Sequence, residues 1–186
     1  MKRNSALFAG YFLLIFFKLL VRFGLQFSTT FFLANLGNIF LWFGGGLIGW
    51  NFLFLDQLIW VYFTQPNNKI SEEVRFLFTQ KKWKQGIEVL KVKEYEMERL
   101  AFKSVLFQIC WLVLVFFVLT STSSLLGKGI IMGVGLHLLL KEWQDFKKWK
   151  RFDWLFWQIK REITLKEQKF YLYILTTFFI LLSFIV

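Results

Sequence analysis

The amino-acid sequence predicts an all-α integral membrane protein with about five transmembrane helices, or about four to six if the ambiguous apolar stretches are split or dropped. A short cytoplasmic helical hairpin and a basic-aromatic amphipathic helix at the interface complete a single membrane domain over residues 1–186. Three observations carry this prediction. First, 56% of the 186 residues are hydrophobic and 22% aromatic, with a mean hydropathy of +0.51. A soluble domain is about 45–50% apolar, and a chain of this size has too little interior to bury so much Phe and Trp. Lipid solvates those side chains directly. Second, long apolar stretches alternate with segments dense in Lys and Arg. Third, one Pro in the whole chain agrees with long helices.

The N-terminus reads Met1-Lys2-Arg3-Asn4-Ser5 and then turns apolar from Ala6 to Phe17. No small-x-small cleavage site follows, so an uncleaved signal-anchor span over about residues 6–23 is expected. Lys18 and Arg22 share a face near its end and are expected to snorkel to the far interface. Phe27 to Phe63 holds no Lys or Arg. It reads as one span over about residues 35–55, in preference to a hairpin broken at Gly44-Gly45-Gly46, whose first arm falls short of a crossing. Thr64-Gln65-Pro66-Asn67-Asn68 is a turn. Ser71 with Glu72 and Glu73 reads as a helix start. A second helix, from about Gln85 with Leu90, Met97, Leu100 and Ala101 on one side and Glu94, Glu98 and Arg99 on the other, is expected to run straight into the next span. Residues 65–103 thus form the hairpin.

Spans over about residues 104–120 and 125–140 follow, joined by the turn Thr120–Ser124. The second is less clean, because Lys128 leaves only Gly129–Leu140 free of Lys and Arg; twelve residues are short for a crossing. It either spans with Lys128 snorkelling outward or re-enters. In residues 141–163, Trp143, Phe146, Trp149, Phe152, Phe156, Ile159 and Ile163 recur at spacings of three and four, with basic residues largely off that face. This predicts one amphipathic helix in the headgroup plane. Thr164-Leu165-Lys166-Glu167 has the pattern of a capping box and starts a last span over about residues 170–186.

Charge orients the threading. Lys2 and Arg3, nine basic residues in 65–103 and nine in 141–169 fall on one side, so twenty of the 23 Lys and Arg are cytoplasmic; Lys18, Arg22 and Lys128 oppose them. The N-terminus is expected inside and the C-terminus outside a plasma (inner) or organellar inner membrane. Splitting residues 27–63 into two spans leaves this score unchanged. A net charge of +11 on a soluble protein points to nucleic acid. Interleaved with spans, it points to a bilayer with anionic headgroups and to membrane-protein partners or self-association.

The candidate sites are few. Trp143, Lys147, Lys148, Trp149, Lys150, Arg151, Trp154, Trp157, Lys160 and Arg161 form a candidate surface for lipid or an acidic partner. Gly45-x-x-x-Gly49 and Gly129-x-x-x-Gly133 allow close helix packing, between spans or between subunits. Asp56 and His137 are the intramembrane polar candidates. Asp56 is expected in water at its helix end and His137 at the interface, one turn before Lys141; a proton relay between them is the bolder reading. No cofactor, metal or catalytic residue is expected. Cys110 and His137 stand alone, and Gly127-Lys128-Gly129 lacks the remainder of a phosphate loop.

The leading functional expectation is therefore a non-catalytic subunit or assembly scaffold of a membrane complex. A small oligomeric channel or transporter is the second reading. The third is a biogenesis factor, because a cytoplasmic hairpin between two spans followed by a tight outer turn resembles the layout of membrane-protein insertases, in layout alone and without a shared motif.

Overall fold

The computed structural model describes residues 2–22, 29–97 and 100–185. Seven α-helices are found there: α1 (Lys2–Arg22), α2 (Thr29–Ile59), α3 (Lys69–Thr79), α4 (Trp83–Val92), α5 (Val105–Ser121), α6 (Leu125–Trp149) and α7 (Leu165–Ile185). Helix α2 continues as a π-helical turn, Trp60–Thr64, and 3₁₀ turns occupy Glu94–Glu96 and Asp153–Phe156. Among the described residues there is no strand. Two helical segments, Phe40–Thr64 and Leu165–Ile185, are long and apolar enough to cross a membrane, and α5 is apolar but shorter. Expectations at Phe23, Phe27, Glu98 and Arg99, and for the side chains of Lys2, Arg3, Arg22 and Asn35, lie outside the described residues.

Helix starts follow local chemistry. Asn68 caps α3 by accepting from the Ile70 N–H (3.0 Å), Ser104 caps α5 through the Phe107 N–H (3.2 Å), and Ser124 caps α6 through the Gly127 N–H (3.4 Å). At α7 the Thr164 N–H donates to the Glu167 carboxylate (2.8 Å) while the Glu167 N–H donates to Thr164 Oγ1 (3.4 Å), the reciprocal bonds of a capping box. Helix α6 stops where Lys150 turns left-handed (φ 60°) and its N–H closes on the Phe146 carbonyl.

Helix α6 is the axis of the bundle, packed by α2, α5, α7 and α1. Its contact with α2 is made by main chain. A methyl group on Gly45 would overlap the Leu126 carbonyl oxygen, and one on Gly49 that of Ile130. Reciprocally, a methyl on Gly129 or Gly133 would strike the carbonyl oxygens of Trp42 or Gly46. Next in the same series, the Trp50 carbonyl meets His137 Nδ1 at 2.6 Å. The pairs 42/129, 46/133 and 50/137 rise together, so α2 and α6 run parallel. Helix α1 runs antiparallel to α2, with Phe8 on Trp50 (4.8 Å) and Phe12 on Trp42 (5.0 Å). At the far end of α1, the Lys18 ammonium donates to the Ser183 and Phe184 carbonyls that end α7 (3.1 and 2.7 Å).

Helix α2 passes unbroken through Gly44-Gly45-Gly46, because two of these glycines are seated against α6 or a ring of α1 rather than in a turn. Several expectations change. The α3 cap is Asn68, while Ser71 Oγ donates to the Gln65 carbonyl (2.6 Å). Helix α4 ends at Val92, and a 3₁₀ turn and irregular chain separate it from α5. Residues 141–163 are not one helix. The first nine residues extend α6, and the chain beyond Lys150 folds back to bury Phe152, Leu155 and Phe156 in the core. Of the residues that the spacing marks, Phe152 and Phe156 are buried, by tertiary packing rather than on one helical face, while Trp149 and Ile159 are exposed.

The α2–α6 seam predicts a contrast. Gly49→Ala should cost about 1–3 kcal/mol, since backbone cannot yield to the added methyl. Gly44→Ala, with nothing within 4 Å of its Cβ position, should leave stability unchanged or raise it slightly. Thermal unfolding of both variants in one detergent checks this.

Candidate functional site

Where the end of α2, the hairpin, the start of α5, the second half of α6 and the start of α7 converge, the core becomes polar. Asp56 is 1% exposed. Its carboxylate accepts from the Ala101 N–H (3.1 Å) and the Phe102 N–H (2.8 Å). It thereby fixes the irregular chain leading into α5 to the body of α2. Asp56 is thus inside the protein rather than in water at a helix end, because the returning chain covers it.

Beside it, Glu94 is clasped by Lys103 from the approach to α5 and by Lys141 from α6 (2.9 Å to the latter). Asp145, one turn farther along α6, accepts from Tyr95 Oη (3.2 Å) and Trp154 Nε1 (3.0 Å). Lys141 and Lys148 stand over the Tyr95 ring at 4.5 and 5.4 Å. Glu94, Tyr95, Lys103, Lys141, Asp145 and Trp154 line a cavity of about 40 Å³, room for a few water molecules. Burial alone would raise the Glu94 carboxyl, but the two ammonium groups outweigh it and hold Glu94 below its ordinary value. At Lys103 burial prevails over Glu94, and its ammonium is held below the usual lysine value.

Deeper in, α5, α6 and α7 meet through side chains. Gln108 Nε2 donates to Glu142 Oε1, and Tyr171 Oη donates to Gln108 Oε1. Gln108 and Glu142 are fully buried, and Glu142 Oε2 has no hydrogen-bond partner. Nearby, Gln168 holds the segment after α6. Its Oε1 accepts from the Phe152 N–H (3.0 Å) and its Nε2 donates to Asp153 Oδ1 (2.6 Å). Trp143 Nε1 donates to Thr176 Oγ1 on α7 (3.0 Å).

The expected site residues therefore divide. Trp143 and Trp154 are tied into the fold through Thr176 and Asp145, while Trp149 and Trp157 are 58% and 41% exposed. Lys147, Lys148, Lys150, Arg151, Lys160 and Arg161 are exposed. Of these, Arg151 pairs with Asp153 (2.9 Å), Arg161 pairs with Glu167, and Lys148 covers the Trp149 ring (4.5 Å). His137 is half-buried within α6, stacked on Trp50 at 4.5 Å and held to its carbonyl, which places it in the α2–α6 seam. No hydrogen bond joins Asp56 to His137 among the described residues. Gly45, Gly49, Gly129 and Gly133 meet within one chain. Sequence reading passed over Glu142, Asp145, Lys103, Gln168 and Tyr171 as site residues. The one available signal was Glu142 and Asp145 at i and i+3 on a helix whose neighbouring charges are all basic. Among the described residues no group of three or more His, Cys, Asp and Glu could hold a metal ion.

Comparison with protein-family models, curated proteins and solved structures finds no match.

Glu94 gives a test of the cluster. Glu94→Gln leaves Lys103 buried without its ion-pair partner and should cost on the order of 3 kcal/mol. Because the folded Glu94 carboxyl is depressed, its contribution is present above the ordinary carboxylate range and is lost as pH falls through its folded value. Thermal unfolding against pH should show an acid-side decline in the native protein that is smaller in Glu94→Gln.

Proposed function

We propose that this chain is a non-catalytic, membrane-embedded subunit or assembly scaffold of a membrane complex. The observation that carries this reading is the inverted surface of its outer helices. Helix α5 turns Gln108, Trp111, Val115 and Leu119 inward and leaves Leu106, Ile109, Val113, Phe116 and Phe117 exposed. Helix α7 buries Gln168, Leu172, Leu175, Phe179 and Leu182 and exposes Phe170, Phe178, Ile180, Leu181 and Phe184. A helix apolar all round is stable when hydrocarbon or another protein covers its outer side.

In this reading α1, α2, α5, α6 and α7 cross the bilayer, with the N-terminus inside and the C-terminus outside. The hairpin and the basic segment after α6 then lie in the cytoplasm. Helix α6 carries Glu142 and Asp145 where protein packs around it and buries both. Its 25 residues extend about 37 Å, enough to pass a hydrocarbon layer of about 30 Å. Exposed Trp149 and Trp157, flanked by Lys147, Lys150 and Lys160, suit a surface resting on anionic headgroups.

A single-chain pore fits less well. The polar groups gather at the hairpin end, and beyond His137 the α2–α6 seam is closed by main-chain contact. On the other side of α6, the Trp111 ring packs against Gly135 and its Nε1 donates to the Ile131 carbonyl (2.9 Å).

Purification of the tagged chain in mild detergent should yield a stable complex with other membrane proteins. A homo-oligomer alone would favour the channel reading, and ribosome association the biogenesis reading. A C-terminal reporter active only in the cytoplasm should stay silent, and a signal from it would refute the threading.

A further inference from the structure

We propose that Glu142, with Gln108 and Tyr171, forms a buried proton-binding site that exchanges its proton through the cavity beside the hairpin. Three geometric facts converge on the carboxyl. It is fully buried, Oε1 takes the Gln108 amide, and Oε2 is left with no partner. A carboxylate in such a place loses its hydration and leaves lone pairs unmet; a neutral acid carries its hydrogen on the vacant oxygen.

The surrounding charges point the same way. From α5 comes only the neutral Gln108, and from α7 only the Tyr171 phenol, whose hydrogen is given to Gln108 rather than to the carboxyl. On α6 itself, Asp145 stands three residues on and adds negative charge, which disfavours a second anion. Lys141, although adjacent in sequence, is turned to Glu94, and so is Lys103. Asp56 on α2 is satisfied by the Ala101 and Phe102 N–H groups, and His137 is held by the Trp50 carbonyl. Among the described residues no cation forms an ion pair with Glu142.

Access is adjacent. Lys141 and Asp145, the residues that bracket Glu142 on α6, both line the cavity between hairpin and core. Glu142 is not itself part of that lining, so loading takes place when local opening of α6 against the hairpin admits water from the cavity, and a hydronium ion then transfers one proton to Oε2. The O–H bond of the hydronium breaks, water keeps the electron pair, and the carboxylate becomes the neutral acid; release reverses the step. The site rests on the packing of α5, α6 and α7 and stands independently of the scaffold reading.

Infrared difference spectroscopy of the full chain reconstituted in liposomes tests this. At neutral pH the wild type should show a protonated-carboxyl C=O band that shifts in D₂O, is lost in Glu142→Gln and moves in frequency in Gln108→Leu. Superimposable wild-type and Glu142→Gln spectra would overturn the proposal. Should Glu142→Gln not fold, the wild type alone decides through dicyclohexylcarbodiimide, which reacts with protonated carboxyls in apolar surroundings. An adduct mapped to Glu142 that fades in alkaline buffer supports the site, and labelling confined to other carboxyls refutes it.

Discussion

Main chain packed on main chain between α2 and α6 is the constraint on which the rest of the molecule depends. Four glycines, two on each helix, face carbonyl oxygens of the opposite helix. No side chain of these glycines fills the seam there, so the two backbones approach closely. The register this imposes carries down to Trp50 and His137. Parallel neighbours also dictate topology. The chain must leave the end of α2 and return to its starting level before α6 can begin, and α5 makes that return. Helix α5 lies antiparallel to α6, with Trp111 near Ile131 and Gln108 at Glu142.

A helix so enclosed can carry groups that a lipid-facing helix cannot. Glu142 and Asp145 lie on α6 where α5, α7 and the hairpin cover them, and each receives donors from those neighbours. The hairpin is held to this polar end by charge. Asp56 binds the backbone on its far side, and Glu94 is gripped from α6 and from the approach to α5. Buried pairs of this kind add little net stability but penalise the loss of either partner. They therefore define where the hairpin docks more than how firmly the bundle folds.

How much of this was legible depends on how local the cause was. Caps at Ser124 and Thr164–Glu167 are short-range, and the capping-box pattern is readable along the chain. The G-x-x-x-G spacing was visible too, but not which helix would receive it, because that contact joins residues about eighty positions apart. A separation of 45 positions likewise hid Asp56. Nothing near it in sequence announces that Ala101 and Phe102 will bring their N–H groups. The aromatic run from Trp143 to Ile163 misled for a different reason. Spacings of three and four fit a helix, yet Lys150 adopts a left-handed turn and Phe152 is drawn inward by Gln168 of α7. Gln108, a lone amide in an apolar helix, was readable as a polar residue, whereas its partner Glu142 sat unremarked among lysines and tryptophans.

The parallel course of α2 and α6 is the claim on which bundle, polar end and threading all rest. Pulsed electron paramagnetic resonance distances test it directly. Spin labels would be placed through Phe40→Cys, Ser124→Cys and Trp149→Cys in a Cys110→Ser background, because the native cysteine is exposed. Parallel packing places Phe40 within about 20 Å of Ser124, labels included, and about 35 Å or more from Trp149. A short Phe40–Trp149 distance with a long Phe40–Ser124 distance would mean antiparallel helices and would contradict the account.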